Sequence, residues 1–172
     1  MERPKLLEFM ELIPAHHRAK CLKMLADHED RFSAAPGSLK KHQAWPGGYL
    51  DHLEETMAFA GMLYLAMHQK RHLPFSLGAV ILILFLHDLE KPFAYVEPKV
   101  HFPDYASEKK FVEKMLDDYG IELSRNERNA LNYIHGEGVD YHPTERIMGP
   151  LAAFCHMCDV ASARIWYDHP KK

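Results

Sequence analysis

Apolar residues recur along this chain at spacings of three and four, and no stretch alternates convincingly, so the pattern predicts helices throughout. Residues 4–12 carry apolar positions at helical spacing and stop near Pro14. A second helix takes Pro14 as its first residue and runs to about Phe32, with Leu22, Leu25 and Phe32 inward. "SAAPGSLKKHQAWPGG" is loop, by its glycine, proline and serine content. A long amphipathic helix follows from Gly48 to about Arg71, where Pro74 breaks the pattern and Ser76 caps the next helix. That helix ends on His87-Asp88. "KPFAYVEPKVHFPD", with three prolines, reads as a second loop. Helices then fit 104–119, ended by Gly120, and 125–135, opened by the capping box Ser124-x-x-Glu127. "HGEGVDYHP" is a third loop, and the last helix starts near Thr144 and bends at Gly149-Pro150. With no internal repeat and no long linker, the expected fold is all-α, a compact bundle of six or seven helices forming one domain over 1–172.

The longest apolar run, Leu77 to Leu86, is ten residues with Gly78 inside it. A membrane span needs about 20, so this is expected to be a buried core helix. The start, "MERPKLLEFMELIP", carries acidic residues within its apolar stretch and no small-residue cleavage site, so no secretory signal is expected. Net charge is -3 with no basic block, which lends no support to nucleic acid as a partner. Three cysteines, Cys21, Cys155 and Cys158, argue against a disulfide framework and for a reducing, cytoplasmic setting. Histidine changes the picture: there are thirteen, against 21 lysines and arginines together.

Several of them sit where an apolar helix begins or ends. His52 lies in the first turns of "GGYLDHLEETM", His87 and Asp88 close the apolar helix, and His135 closes "RNALNYIH". Asp159 lies inside "LAAFCHMCDVASAR", among small and apolar residues. A buried, unpartnered carboxylate costs several kcal/mol. Two aspartates and several imidazoles from different helices share one economical explanation, a divalent transition metal such as zinc, iron, manganese, nickel or cobalt. His16, His17, His28, His68, His72 and His169 are read as surface histidines or as histidines with one hydrogen bond. Cys155-x-x-Cys158 lies mid-helix with no second pair, so it reads as small core residues, with His156 a candidate partner of Asp159.

Taken in order, His52, His87-Asp88 and Asp159 resemble the H…HD…D pattern of the HD-domain superfamily of metal-dependent phosphohydrolases, over roughly 42–165. "HQAWPGGYLDH" looks like the family's "HHA-aromatic-x-GGL-x-x-H" stretch, and "LFLHDLEKP" resembles "LLHDIGKP". "HFPDYASE" is similar to the segment that supplies a third histidine, here His101; "IHGEG" and "CDVASAR" resemble the two motifs that follow. The chain departs from the pattern at Glu90, where many members have glycine, and at Tyr105, where a small residue is usual. It also lacks the glycine-tyrosine-proline motif of the cyclic-di-GMP branch.

The resemblance implies an HD-like bundle with His52, His87, Asp88 and Asp159 holding one metal, and a phosphohydrolase acting on a nucleotide, cyclic nucleotide or oligonucleotide phosphoester. Asp88 would orient or bridge to water, and His101 with His135 (or His142) would complete a second ion. Lys91 either stabilises charge on phosphate or satisfies helix C-terminal carbonyls. His142 is a further candidate substrate contact. His42 and Trp45 lie on the loop before the metal helix; Trp45 either stacks a base or staples that loop, the staple being favoured. Two other functions stay open: a mixed-valent di-iron oxygenase of the same superfamily, and a non-catalytic ligand-binding module.

Overall fold

The computed structural model describes residues 4–166. Its centre is a helix, Leu77–Leu86, apolar on every face, with Val80 through Leu86 all buried. A helix without a polar stripe is stable in water only when surrounded. Each of those side chains contributes about 1.5–3 kcal/mol on leaving water. In chain order the elements are α1 (Pro4–Met10), α2 (Ala15–Asp27), α3 (Glu29–Ala34), α4 (Gly48–Lys70), α5 (Leu77–Leu86), α6 (Lys91–Tyr95), α7 (Tyr105–Asp118), α8 (Arg125–Tyr133) and α9 (Pro150–Ile165). A single 3-10 turn covers Gly138–Asp140, and no strand occurs among the described residues. The chain is all-helical. Helices α1, α4, α8 and α9 pack around α5, and α4 and α9 pack on each other. No described helix is long and apolar enough to cross a membrane.

Local chemistry sets most helix ends. Ser76 accepts from the Ala79 N–H at the start of α5. Ser124 and Glu127 form the expected reciprocal box on α8, and Asp104 with Ser107 forms another on α7. Gly120, at φ 64, closes α7. The Ile121 and Gly120 N–H groups reach back to the carbonyls of Leu116 and Asp117, which is a Schellman ending. Gly78 is small for another reason: a Cβ there would lie 2.3 Å from the Leu12 carbonyl oxygen.

Among the described residues there are nine α-helices where six or seven were expected; one helix splits and one is added, and the start of the last helix is shifted. The helix expected from Pro14 to Phe32 breaks at His28 (φ -120, ψ 20), giving α2 and α3. There the imidazole packs 5.0 Å from the Phe93 ring and lies 3.1 Å from the Tyr119 hydroxyl. Leu25 and Phe32 are buried as expected, while Leu22 is only half-buried. The segment after Asp88, expected to be loop, begins with the short helix α6, with Pro92 in its first turn where a missing N–H does no harm. The last helix starts at Pro150 rather than near Thr144. Asn129 holds the preceding segment extended, donating to the Ile147 carbonyl at 2.9 Å and accepting from the Gly149 N–H at 2.8 Å. A residue before proline avoids the helical region in any case.

His17 departs from its reading as well. It lies on the buried stripe of α2 with Cys21, Met24 and Leu25, and its Nδ1 has no hydrogen-bond partner. His16 and His72 are exposed, His68 accepts from the Leu73 N–H, and His169 lies outside the described residues. Cys155 and Cys158 are buried in the core, and burial pushes both thiols up, that of Cys158 to about 12.

Candidate metal centre

Three helices bring their polar residues to one point. The last turn of α5 leaves orphan carbonyls, and His87, its C-cap, satisfies one by donating from Nδ1 to the Leu84 carbonyl at 2.7 Å. This explains how an all-apolar helix can end inward on an imidazole. A carbonyl only accepts, so Nδ1 carries the proton and Nε2 turns away from the helix with its lone pair. His52 sits on the buried face of α4, one turn before Glu55. On α9, Asp159 and Ser162 have the same one-turn spacing and face that pair. The His52 Nδ1 lies 3.0 Å from the Ser162 hydroxyl, whose own proton goes to Glu55 at 2.8 Å. Ser162 is therefore left as acceptor, and His52 also carries its proton on Nδ1.

Two Nε2 lone pairs then face each other at 3.3 Å. Lone pairs repel unless a cation, proton or metal, lies between them. Asp159 Oδ1 is 3.2 Å from the His52 Nε2, and Asp88 Oδ2 is 3.1 Å from the His87 Nε2. The cross distances are longer, 3.7 Å from His52 to Asp88 and 3.8 Å from His87 to Asp159. Neighbouring donors about 2.0–2.2 Å from one four- to six-coordinate ion lie about 2.8–3.6 Å apart. The three shorter separations fall within that span and the two cross distances slightly exceed it. The other oxygen of Asp88, Oδ1, is buried with no hydrogen bond. The His135 Nε2 lies 3.3 Å from it. Two groups thus have metal-ligand spacing, His52-His87-Asp159 and His87-Asp88-His135, sharing His87. The donor set of imidazole and carboxylate suits a divalent transition metal.

The electrostatics agree with one positive charge held between the imidazoles. Burial drives the His52 pKa down to about 4. Burial opposes charge on His87 too, but the Asp88 and Asp159 carboxylates outweigh it and raise that pKa to about 9. Against the same burial, the adjacent His52 and the charge of His87 hold Asp159 at about 2. Asp88 is likewise held well below the usual range by His87 and Lys91. Lys91 pairs with Asp88 Oδ2, so it is an ion-pair partner rather than a cap for α5 carbonyls. Glu90 sits at φ -72 in the helical region, so the turn after Asp88 does not require glycine. Burial and the neighbouring Asp88 raise the Glu90 carboxyl to about 7.

Above the cluster opens a cleft of about 290 Å³, lined by Lys41, Lys91, Arg164, His42, His135 and His156, with Asp159 at its floor. Three cations, Lys41, Lys91 and Arg164, thus line it beside one carboxylate, with Lys91 already paired with Asp88. Burial and the nearby Lys91 lower the His42 pKa, so this imidazole favours its neutral form. His156 does not hydrogen-bond Asp159 as read from sequence; its Nδ1 contacts the Ile134 carbonyl at 2.5 Å.

Three sequence candidates lie elsewhere. His101 is exposed on the segment between α6 and α7 and belongs to neither ligand group. His142 is exposed too, its Nδ1 accepting from the backbone of Thr144 and Glu145. Trp45 staples its loop, donating to Asp51 at 2.7 Å, and does not line the cleft. The sequence reading missed Gln43, Glu55 and Ser162. For the last two a signal existed, since each stands three positions after a candidate ligand and therefore on the same helix face. Lys41 and Arg164 carried no signal of their own. No family model, no curated protein and no solved structure matches the chain.

Proposed function

We propose that this protein is a metal-dependent hydrolase of a small phosphoester, with His52, His87, Asp88 and Asp159 holding the ion. The observation that carries the reading is the pair of Nε2 atoms 3.3 Å apart, each with its Nδ1 committed as a donor to the protein. The resemblance of His52, His87-Asp88 and Asp159 to the HD pattern supports hydrolysis of a phosphoester as the chemistry. The cationic cleft supports an anionic substrate. Its volume of about 290 Å³ favours a mononucleotide or smaller over a long oligonucleotide.

A bound divalent ion would supply an activated water and polarise a phosphoryl oxygen. The chain's own residues do the rest. Lys91, Lys41 and Arg164 take the negative charge of the substrate, and the apolar ring of α5 side chains beneath the cluster keeps bulk water from the ligands. His135, 3.3 Å from the buried Asp88 Oδ1, would help Asp88 hold a second ion, if one binds. If two irons bind and oxygen is consumed, the oxygenase replaces the hydrolase.

The test is elemental analysis of the purified protein, followed by turnover of a panel of phosphomonoesters and cyclic nucleotides. Asp88→Asn keeps the shape but removes a charge that holds the cation, so bound metal and turnover should fall together. Undiminished hydrolysis by a chelated Asp88→Asn protein would locate the chemistry elsewhere.

A further inference from the structure

Beneath His42 and His52 lies a partly buried set of hydrogen bonds in which every donor and acceptor role follows from one carboxylate. Glu55 can only accept. It takes one hydrogen from the Gln43 amide nitrogen at 2.6 Å and one from the Ser162 hydroxyl at 2.8 Å. The second hydrogen of the Gln43 amide goes to Ser162 Oγ at 3.0 Å. With its nitrogen spent, Gln43 must present Oε1 to His42, whose Nδ1 lies 2.7 Å away. His42 therefore donates from Nδ1, leaving Nε2 as an acceptor. Ser162 has given its one proton to Glu55, so it accepts from His52 Nδ1, as described above. The two rings lie 4.8 Å apart, on opposite sides of the same relay.

The backbone is built around this arrangement. Gln43 is fully buried and holds φ 40, the one described non-glycine residue in the left-handed region. A long side chain persists there only when its surroundings over-determine it, and such outliers gather at functional sites. Two glycines make room: a Cβ on Gly48 would lie 1.9 Å from the Gln43 carbonyl oxygen, and one on Gly37 would lie 3.0 Å from the Gln43 Cβ. Ser38 ties the same loop, accepting from the Lys41 and His42 N–H groups.

We infer that Glu55, acting through Gln43 and Ser162, is a positioning residue that fixes the tautomers of His52 and His42 together. His52 is thereby made to offer Nε2 to the ligand cluster, and His42 to offer Nε2 as a neutral hydrogen-bond acceptor in the cleft. Among Lys41, Lys91 and Arg164, His42 then orients a group that donates, a water or a substrate hydroxyl. The role of His52 rests on the metal-centre reading; the tautomers themselves do not.

The test is nitrogen-15 imidazole spectroscopy of the metal-free protein, which distinguishes Nδ1–H from Nε2–H rings. In the unsubstituted protein His42 should show the Nδ1–H form; an Nε2–H ring at His42 overturns the inference. Ser162→Ala should release His52 alone, Gln43→Met should release His42 alone, and Glu55→Gln, whose amide lets Gln43 turn over, should disturb both. Circular dichroism identifies any variant that does not fold, and the remaining variants still decide. Rings unmoved in every folded variant overturn the relay. Zinc titration of Ser162→Ala is read separately, with a 10–100-fold weaker affinity expected of a lost partner to a ligand imidazole (roughly the usual effect). If zinc binds neither protein while the tautomers are as stated, the metal reading fails and the relay stands. If zinc binds both equally, the relay does not serve the ligand.

Discussion

A single imidazole can be exposed, buried neutral or buried charged, and His142, His17 and His87 show the three environments in one chain. His17 is buried at the foot of α2 with Nδ1 unpartnered, and burial followed by the neighbouring His16 lowers its pKa. The unfolded chain, with a histidine pKa of about 6.5, binds the proton more readily than the folded one. The sign is therefore fixed: the stabilisation from neutral His17 is complete above about pH 6.5 and is lost as pH falls through the folded value. His17→Leu, which removes an unsatisfied buried nitrogen, should raise stability by about 1 kcal/mol near pH 8 and by more near pH 5. Urea titration at the two pH values checks this, and an equal gain at both would contradict a buried neutral ring. In the candidate site, Lys91 contacts Asp88 and also faces the cleft. Lys91→Met should leave bound metal in place and raise KM for an anionic substrate about tenfold, the signature of lost binding rather than lost chemistry. Metal lost together with activity would instead make Lys91 part of the ligand scaffold.

Elements are set by their ends as much as by their faces. Helix α4 opens on two glycines that act for different reasons. Gly47 adopts φ 81, which any residue with a Cβ reaches at a cost of about 1–2 kcal/mol. Gly48 has an ordinary helical place but meets the Gln43 carbonyl, and a Cβ there would penetrate backbone. Gly48→Ala should therefore destabilise by about 3 kcal/mol or more, and Gly47→Ala by less, although only Gly47 has the unusual backbone angle. Paired chemical denaturation curves give the order, and the reverse order would mean the loop yields easily. The same loop holds Lys41, His42 and Gln43, so the Gly48 change should also disturb the cleft. Within α5, helix and site share one device: the bond that caps the helix through Leu84 is the bond that points the His87 Nε2 at its partners.

At the scale of the whole molecule, the proposed ligands come from three helices, His52 on α4, His87 and Asp88 at the end of α5, and Asp159 on α9. An ion bound there would cross-link the packed centre of the fold, so folding and metal binding should be linked. Saturating metal should raise unfolding free energy by about 2.7 kcal/mol at a hundredfold excess over Kd, and a chelator should reverse it. Thermal unfolding with and without chelator measures the effect, and identical curves would argue against a site on these helices. Much of this architecture was legible in the sequence by itself. Helical class, the buried α5 and the ends at Ser76, Ser124 and Gly120 follow from apolar spacing and from capping chemistry that acts within a few residues. So did the prominence of His52, His87, Asp88 and Asp159, because carboxylates and imidazoles stand out in apolar surroundings. Only the tertiary structure decided which imidazoles face inward: His17 turned out buried, and His101 and His142 lie outside the cluster. It alone joined Gln43 to Ser162, 119 positions further on, through one carboxylate on α4. A hydrogen bond between distant segments depends on how helices pack, and packing is a property of all the faces at once, which no local pattern of residues contains.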